Sequence, residues 1–436
     1  MMVPIVVIVG RPNVGKSTLF NRLTRSRNAL VDDRPGVTRD RICVSTTCEG
    51  VNMTLVDTGG FEDLGQDPLL KEVRGQVERG MAEADKIIFM VDAKAGLMPG
   101  DEAMADLLRR GHKQVLLTVN KVDGPEHEYR IHDFHRLGLG PPLGISAAHG
   151  YGLNAFKDEL IKDLHPLEAR PQDPHQIRVA VLGRPNAGKS SLINRILRDD
   201  RLVVSELPGT TRDAVDALFH YRGREYLLID TAGIRRKARV KEKIEKISMI
   251  KALRSLDRCH VAVILLDAER GLSDQDVRIC GYALDKGRGL VVAVNKWDLV
   301  KTDSRKKEQL YHAVDRRMKF VSYAPKVHVS ALTGERVMTL FKAVDTVFDQ
   351  FCTRISTGEV NRALKEIVQQ HPPQRIGRGR LKFLYATQAR TRPPTFVLVV
   401  NRPDLVHFAY KRFLANQFRE HFGLKNIPIQ LKFKER

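Results

Sequence analysis

The sequence predicts two consecutive α/β domains, each with a mostly parallel sheet covered by helices on both faces, followed by a smaller α+β domain. Three observations support this fold class. Short Val/Ile/Leu runs alternate with amphipathic stretches, which is typical of buried parallel strands separated by helices. One set of motifs occurs twice in the same order. The last fifth of the chain lacks these motifs and is strongly basic.

The apolar runs give the strand positions in each repeat. In the first repeat they are Val3–Val9, Met53–Val56, Lys86–Val91 and Val115–Val119. In the second they are Arg178–Leu182, Tyr226–Ile229, Val261–Leu266 and Leu290–Val294. Sheets of this kind bind ligands outside the carboxyl ends of their strands, so functional side chains are expected directly after these runs.

Five short motifs define the repeat. GRPNVGKS at Gly10, PGVTRD at Pro35 and DTGG at Asp57 recur 173 positions later. NKVD at Asn120 recurs 175 positions later, and the Ser-Ala pair at Ser146 recurs 184 positions later. The common order indicates a duplicated domain. We predict domains over residues 1–165 and 177–352, a linker rich in Pro and charge over 166–176, and a third domain over 353–436.

The first motif has the spacing GxxxxGK[ST] of a phosphate-binding loop. Its glycines let successive main-chain N–H groups approach a phosphate chain at the N-terminus of a helix. The lysines are expected to reach the β- and γ-phosphates, and the serine hydroxyls to coordinate Mg²⁺. A chance glycine-rich turn is the alternative, but both copies directly follow a strand. The predicted loop residues are Gly10, Arg11, Pro12, Asn13, Val14, Gly15, Lys16 and Ser17, and in the second copy Gly183, Arg184, Pro185, Asn186, Ala187, Gly188, Lys189 and Ser190.

Two further motifs are expected to surround the γ-phosphate. The aspartate of DxxG can hold Mg²⁺ through water while the N–H of its glycine contacts the γ-phosphate. The threonine of PGxTRD can complete the Mg²⁺ shell only while that phosphate is present, which makes its segment a switch; a simple Pro-Gly turn is the alternative. The predicted residues are Thr38, Asp57, Thr58, Gly59, Gly60 and Phe61, and Thr211, Asp230, Thr231, Ala232, Gly233 and Ile234.

The NKxD motif predicts guanine as the base. A carboxylate accepts hydrogen bonds from the N1–H and the exocyclic amine of guanine, whereas adenine has no N1–H and would leave the acceptor unmatched. A surface Asn-Lys turn is the alternative. The predicted base-binding residues are Asn120, Lys121, Val122, Asp123, Ser146 and Ala147, and Asn295, Lys296, Trp297, Asp298, Ser330 and Ala331.

Both repeats lack a glutamine that many GTPases place directly after DxxG to orient the attacking water. Phe61 and Ile234 occupy these positions, and neither side chain can form a hydrogen bond with water. Asn13 and Asn186, inside the phosphate loops, are the candidates for the missing catalytic help. The residues expected to take part in catalysis are Asn13, Lys16, Thr38, Gly60, Asn186, Lys189, Thr211 and Gly233.

Together these motifs resemble the EngA/Der family of GTPases, which carry two GTP-binding domains in one chain. The resemblance covers nearly the whole sequence and depends on the four duplicated motifs and the basic C-terminal region. It implies two P-loop GTPase domains, a KH-like third domain, and a bacterial enzyme that hydrolyses GTP and acts in assembly of the large ribosomal subunit through rRNA. A related potassium-selective group uses the phosphate-loop asparagine to coordinate K⁺ in place of an arginine finger, and Asn13 and Asn186 match that position.

The two repeats differ after DxxG. The first continues with the acidic FEDLGQDPLLKE and the second with the basic IRRKARVKEKIEK. The basic stretch is either a solvated helix face or a switch that contacts RNA or another domain. Val37 also stands where the second repeat has Thr210, so the two switches are expected to behave differently.

The C-terminal region is predicted to bind RNA through its charge. Residues 353–436 contain 17 Lys and Arg and 5 Asp and Glu, a net charge of +12, which favours contact with a phosphate backbone. Its pattern predicts an αββαβ order with helices Thr357–Gln370 and Asp404–His421 and strands Leu381–Gln388, Thr395–Asn401 and Pro428–Phe433. This order fits a KH-like domain without the GxxG loop that clamps a backbone, so base-specific binding is not expected. A basic domain that only packs on its neighbour is the alternative.

The overall composition also favours a polyanionic partner. The 436 residues include 73 Lys and Arg and 52 Asp and Glu, a formal net charge of +21, which suits nucleic acid or, less well, an acidic membrane surface. No apolar run approaches the length needed to cross a bilayer, and the opening MMVPIVVIVG is expected to be a strand and not a signal peptide. Five scattered cysteines without a CxxC pair fit a reducing compartment. We expect a monomeric, cytoplasmic protein without a membrane partner.

Two other functions stay open from the sequence. One is a GTP-regulated RNA-binding switch with negligible intrinsic hydrolysis. The other is a tRNA-modifying GTPase, a class that shares the PNxGKS and TTRD motifs but carries one GTP-binding domain and a modification domain, for which this chain offers no candidate region.

Overall fold

The computed structural model describes residues 3–24, 43–57, 84–111, 113–164, 176–198, 203–205, 216–230, 245–373 and 381–435. The chain divides into two compact units. One consists of Met1–Pro171 with Ile244–Lys251, and the other of Gln172–Lys243 with Ala252–Arg436. The first repeat therefore lies in one unit, and most of the second repeat lies in the other together with the C-terminal region.

The first unit contains a six-stranded sheet ordered β2-β3-β1-β4-β5-β6. Neighbouring strands are parallel except in the hairpin β2–β3. The strands are β1 Ile5–Val9, β2 Cys43–Cys48, β3 Val51–Asp57, β4 Lys86–Asp92, β5 Gln114–Asn120 and β6 Leu143–Ile145. The helices are α1 Lys16–Thr24, α2 Pro99–Arg110 and α3 Leu153–Ile161, with a 3₁₀ segment at Pro125–Leu137.

Burial explains why the predicted strands form. Every residue of β1 and β4 is buried, which requires cover on both faces of the sheet. Side chains of α1 and α3, such as Leu19 and Phe156, pack into one core cluster with Val6 and Ile88 of these strands. All four strands predicted in this repeat are confirmed. The prediction missed β2 and β6, because CVSTTC and LGI carry no apolar run.

One buried charge in this sheet stabilises the end of a helix. The Lys86 ammonium donates to the main-chain carbonyls of Glu159, Leu160 and Lys162 at 2.6, 3.1 and 2.9 Å. These carbonyls lie at the C-terminus of α3, where a helix has no N–H groups of its own left to offer. Burial lowers the pKa of Lys86, partly offset by nearby Glu159.

We expect Lys86→Met to lower the free energy of opening of α3 by about 1–3 kcal/mol, because the carbonyls lose a charged donor inside the protein. Hydrogen exchange of the α3 amides in the full chain measures this. Lys157→Met is the matched control, because the ion pair of Lys157 with Glu49 at 3.1 Å lies on the surface and is worth less than about 1 kcal/mol. Equal, small effects of both variants would contradict the capping role.

The second unit contains a seven-stranded sheet ordered β13-β12-β11-β7-β10-β9-β8. The five strands from β13 to β10 are parallel to one another. The strands β9 and β8 extend the sheet with antiparallel pairing. The strands are β7 Ile177–Leu182, β8 Val203–Ser205, β9 Ala217–Tyr221, β10 Arg224–Ile229, β11 Val261–Asp267, β12 Gly289–Asn295 and β13 Lys326–His328. The helices of this repeat are α4 Lys189–Leu197, α5 Glu245–Arg258, α6 Asp274–Asp285, α7 Ser304–Arg317 and α8 Val337–Cys352.

The same hairpin precedes the DxxG motif in both repeats. Glu49 and Gly50 link β2 to β3 with φ of 44° and 84°, and Arg222 and Gly223 link β9 to β10 with φ of 50° and 75°. Two consecutive residues with positive φ form the tight turn that matches the twist of a hairpin. The four strands predicted in the second repeat are confirmed, and the sheet is mostly parallel as expected.

The C-terminal region has the predicted αββαβ order. It consists of α9 Thr357–Gln370, β14 Phe383–Arg390, β15 Thr395–Val400, α10 Phe408–His421 and β16 Gln430–Glu435. The sheet order is β14-β15-β16, with β15 antiparallel to β14 and parallel to β16. Helix α10 begins after the predicted Asp404, because a 3₁₀ turn occupies Pro403–Leu405 and the His407 ring accepts a hydrogen bond from the Ala409 N–H at 3.2 Å.

The C-terminal region packs firmly on the second repeat within this unit. One cluster of buried side chains continues from Phe341 and Phe351 of α8 to Leu364 of α9 and Phe396 of β15. The Gln388 side chain joins the two parts: its amide donates to the Thr353 carbonyl and its oxygen accepts from the Ile355 N–H. Both parts therefore form a single packed body.

Within the described ranges, no helix combines the length and the apolar character that crossing a bilayer requires. All five cysteines are free thiols, and four of them are buried.

Candidate nucleotide sites at the carboxyl ends of the strands

Each phosphate loop connects a central strand to the first helix of its repeat. The loops follow β1 and β7 and precede α1 and α4. A Cβ atom at Gly10 would lie 2.3 Å from the Met90 carbonyl oxygen, and one at Gly183 would lie 2.5 Å from that of Leu265. The first loop glycine is therefore required because the loop passes directly against the neighbouring strand.

The loop lysines have the same arrangement in both repeats. The Lys16 ammonium donates to the carbonyls of Gly10 and Arg11 at 2.8 and 2.6 Å. The Lys189 ammonium donates to those of Gly183 and Arg184, both at 2.7 Å. Each lysine thus folds back over its own loop and fixes a positive charge at the helix N-terminus, where anions bind favourably.

The asparagines of NKxD join the phosphate loop to the predicted base-binding loop. Asn120 donates to the Val14 carbonyl at 2.7 Å and accepts from the Ala147 N–H at 2.9 Å. Asn295 makes the corresponding bonds to Ala187 and Ala331 at 2.8 and 2.9 Å. The following loop glycines also depend on this contact, since a Cβ at Gly15 or Gly188 would lie 2.2 Å from the asparagine nitrogen. The structure brings three of the predicted motifs together at one edge of each sheet.

The two predicted base-recognition carboxylates have different surroundings. Asp123 accepts from the Ser146 hydroxyl at 2.8 Å and forms an ion pair with Lys94 at 2.8 Å. The hydrogen bond from Lys94, and to a smaller extent the one from Ser146, holds the pKa of Asp123 below its usual value. Oδ1 of Asp298 is buried and has no hydrogen-bond partner among the described residues. A buried carboxylate oxygen without a donor is able to accept one from a ligand.

The other base-loop residues lie around these carboxylates. Val122 is fully buried, and the N–H of Thr333 donates to the Ser330 hydroxyl at 3.1 Å. The ring of Trp297 stacks on that of His328 with centroids 4.0 Å apart. Trp297 is the one tryptophan of the sequence, so its fluorescence reports on the second site.

The predicted Mg²⁺ ligands fit a hard cation in the first site. The Ser17 hydroxyl donates to the Asp57 carboxylate at 2.9 Å, which brings together two oxygen ligands of the kind that Mg²⁺ prefers. In the second site Asp230 has a φ of 59° and its N–H donates to the Asp216 carboxylate at 3.0 Å. Ser190 is exposed, as is Ser17, but no hydrogen bond joins Ser190 to Asp230, although both residues are described. The metal positions of the two sites are therefore built differently.

The loop asparagines expected to bind K⁺ are exposed in both repeats. Asn13 and Asn186 share a φ of 63°, a left-handed conformation that asparagine tolerates better than most residues. They are preceded by Pro12, which is exposed, and by Pro185, which is half-buried. Neither asparagine amide is hydrogen-bonded to another described residue, so both amides are available to a ligand.

Sequence reasoning missed two aspartates that position the NKxD lysines. Lys121 pairs with Asp92 at 2.5 Å, and Lys296 pairs with Asp267 at 2.8 Å. Both aspartates end a strand and start the sequence D-A-x-x-G, repeated at an offset of 175. That repeat was the available signal.

A third missed contact occurs in one repeat only. Arg11 pairs with the buried Asp101 at 2.7 Å. A Cβ atom at Gly100 would lie 2.9 Å from Cδ of Arg11, so a side chain there would crowd the arginine. The second repeat has Gln275 at the position of Gly100, and Arg184 donates instead to the Gly271 carbonyl at 3.0 Å. The first phosphate loop is therefore tied to α2 by an ion pair.

Several predicted residues lie outside the described part of the chain. They are Thr38, Thr58, Gly59, Gly60, Phe61, Thr211, Thr231, Ala232, Gly233 and Ile234. Most of the linker and the basic stretch after Ile234 also lie outside it.

Comparisons with known proteins identify relatives along the whole chain. A family model described as a 50S ribosome-binding GTPase matches residues 5–121 and again 178–296. A model described as the C-terminal KH-domain-like region of EngA bacterial GTPase enzymes matches residues 354–434. The chain is 49% identical to GTPase Der of Syntrophobacter fumaroxidans, with 99% of this chain and 98% of that protein covered. It is 48% identical to GTPase Der of Syntrophotalea carbinolica, with 99% of each covered.

Proposed function

The chain belongs to the Der family of GTPases, and on this premise we propose that it binds and hydrolyses GTP at two sites and acts in assembly of the large ribosomal subunit through rRNA. The main observation in support is that one asparagine in each repeat, Asn120 or Asn295, is hydrogen-bonded to both the phosphate loop and the predicted base-binding loop. These bonds hold the two loops together at the same edge of the sheet. A nucleotide placed there would have its phosphates at the helix N-terminus and its base at Asp123 or Asp298.

Each set of residues in a site then has a separate role in hydrolysis. Lys16 and Lys189 hold positive charge against the β- and γ-phosphates, where negative charge develops in the transition state. Ser17, Thr38 and Asp57, and Ser190, Thr211 and Asp230, would hold Mg²⁺, which neutralises phosphate charge when bound. Asn13 and Asn186 would offer their amide oxygens to K⁺, and Gly60 and Gly233 their N–H groups to the γ-phosphate.

The proposed rRNA contact rests on charge and exposure. Lys432 and Lys434 of β16 are exposed, as are Lys382 and Arg390 at the two ends of β14. Basic side chains on a rigid sheet suit phosphate contacts, which position a protein on RNA without reading its sequence. The 50S ribosome-binding description of the matching family model supports the ribosome as the source of that RNA. We also propose the domain boundaries 1–165, 177–352 and 353–436, since the family-model matches fall inside them. We propose a cytoplasmic location because the five cysteines are free thiols, which suits a reducing compartment.

Cosedimentation of the full chain with large ribosomal subunits tests this function. We expect affinity to fall steeply with salt, with a log–log slope of about −0.7 to −0.9 per phosphate contact. Lys432→Ala/Lys434→Ala should make the slope shallower and weaken binding, because up to two contacts are lost. Binding should also differ between GDP and a non-hydrolysable GTP analogue.

The matched control is Arg130→Ala/Arg136→Ala, which removes the same charge from the 3₁₀ segment of the first unit. It should leave the slope nearly unchanged. A shallow slope in the wild-type chain, or equal effects of both double variants, would show that the C-terminal region is not an RNA-binding surface.

A further inference from the structure

The two sites differ in the charge placed beside the base-recognition carboxylate. The strands β4 and β11 end at Asp92 and Asp267, which begin the related sequences DAKAG and DAERG. Lys94 and Glu269 therefore occupy corresponding positions 175 residues apart. The main chain holds both residues in the same way. Asp92 accepts from the Lys94 N–H at 2.8 Å, and Asp267 accepts from the Glu269 N–H at 3.0 Å. The difference between the repeats therefore lies in the side chains.

These side chains reach different partners. The Lys94 ammonium lies 2.8 Å from Oδ2 of Asp123. The Glu269 carboxylate points to the NKxD lysine instead, with 3.5 Å between its oxygen and the Lys296 ammonium. Asp123 thus has a cation directly on its carboxylate, whereas Asp298 has no basic side chain paired with it among the described residues.

Guanine recognition depends on free acceptor positions on this carboxylate. Two donors of the base, N1–H and the amine, must approach the aspartate together. In the first site Oδ1 already accepts from Ser146 and Oδ2 faces Lys94. In the second site Oδ1 of Asp298 is buried with no described donor.

We propose that Lys94 is an affinity-determining residue of the first site: its ammonium competes with guanine for Asp123, so that this site binds guanine nucleotides more weakly than the second. The inference rests on the proposed function, in which Asp123 and Asp298 bind the base. Lys94 is 54% exposed and Asp123 is 26% exposed, and pairs this accessible contribute little. The competition therefore lowers affinity roughly two- to five-fold.

This arrangement gives one chain two sites with different working ranges. The second site fills first as the concentration of guanine nucleotide rises, and the first site responds only at higher concentration. Salt screens an exposed ion pair more than a buried contact, so the deficit of the first site becomes smaller at high ionic strength.

The test measures the dissociation constant of fluorescent methylanthraniloyl-GDP for the full chain. Lys189→Ala weakens the second site so that the first is measured, and Lys16→Ala does the reverse. In the Lys16→Ala variant, energy transfer from Trp297, which directly precedes Asp298, follows binding at the second site. Lys94→Gln should tighten the first site roughly two- to five-fold at low salt, and less at high salt. Glu269→Lys should weaken the second site by a similar factor.

Two further variants separate competition from a general change of structure. Lys94→Arg keeps the charge and should retain the weak wild-type affinity. In an Asp123→Asn background Lys94→Gln should have no effect, because the ion pair is already gone. Unchanged affinity in Lys94→Gln, or an effect that persists in that background, would overturn the inference. Absence of any guanine-nucleotide binding by the wild-type chain would instead refute the proposed function.

Discussion

GTP hydrolysis by the full chain is expected to be at least ~10-fold faster in KCl than in NaCl at equal ionic strength, because a fixed cation beside the phosphates stabilises the transition state. An arginine finger that supplies such a charge is worth roughly 10³–10⁵ in rate. Neither repeat has a glutamine after DxxG that could orient water, since Phe61 and Ile234 stand there. The missing help must therefore come from another group.

The phosphate loops offer a specific place for that cation. Asn13 and Asn186 have the same backbone conformation and exposed side chains. Their carbonyl oxygens suit K⁺, which is a hard cation with weakly held water. The neighbouring lysine ammonium groups are held by main-chain carbonyls of the same loops, so the loop itself is preformed.

Substitution of Asn186 distinguishes a potassium site from a general salt effect. Asn186→Asp and Asn186→Ala should lose the difference between KCl and NaCl at the second site. Asn194→Asp on α4 is the matched control, because Asn194 is exposed on the helix that follows the same loop. It should keep the full difference. Phosphate release measured in a Lys16→Ala background isolates the second site. Equal rates in KCl and NaCl would contradict the assignment of a potassium site to Asn186.

Much of the architecture could be predicted because it depends on patterns that the sequence displays directly. Continuous apolar runs such as IVVIV located the buried strands, and the repeat of whole motifs gave the duplicated domain. The strand β9, which lies between β10 and the edge strand β8, was missed because its buried residues alternate with more exposed ones. The start of α10 was predicted too early, since helical periodicity does not show where a 3₁₀ turn replaces it.

The site was predictable in its residues and less so in its contacts. The motifs named Asn120 as a base-loop residue, yet its two hydrogen bonds join the phosphate loop to Ala147. Lys94 and Arg11 act through partners far away in the sequence, Asp123 and Asp101. No local pattern reveals such pairs, because long-range partners are set by how the strand ends meet at the sheet edge.

Asp298→Asn is expected to invert the base preference of the second site. The carboxylate accepts from guanine N1–H and the amine, whereas an amide presents a donor to one of them. Oδ1 of Asp298 is buried and has no hydrogen-bond partner among the described residues, so no neighbouring group there can replace the lost acceptor. GTP affinity should therefore fall ~10²-fold or more, because polar sites strongly reject mismatched ligands. Xanthosine triphosphate, which has a carbonyl in place of the amine, should gain affinity because the amide N–H₂ can donate to it.

The position of Trp297 makes this change measurable at one site. Trp297 directly precedes Asp298, and its indole stacks on the ring of His328, so its fluorescence reports on the second site. Asp315→Asn is the matched control, because the exposed Asp315 lies on α7 and pairs with Lys326 at 2.5 Å; it should leave both affinities unchanged. Asp123→Asn should produce the same inversion at the first site with a smaller loss of GTP affinity, since the substitution also releases Lys94. If Asp298→Asn bound GTP normally and gained nothing for the xanthine nucleotide, guanine recognition would have to depend on the main chain around Ser330 and Ala331 instead.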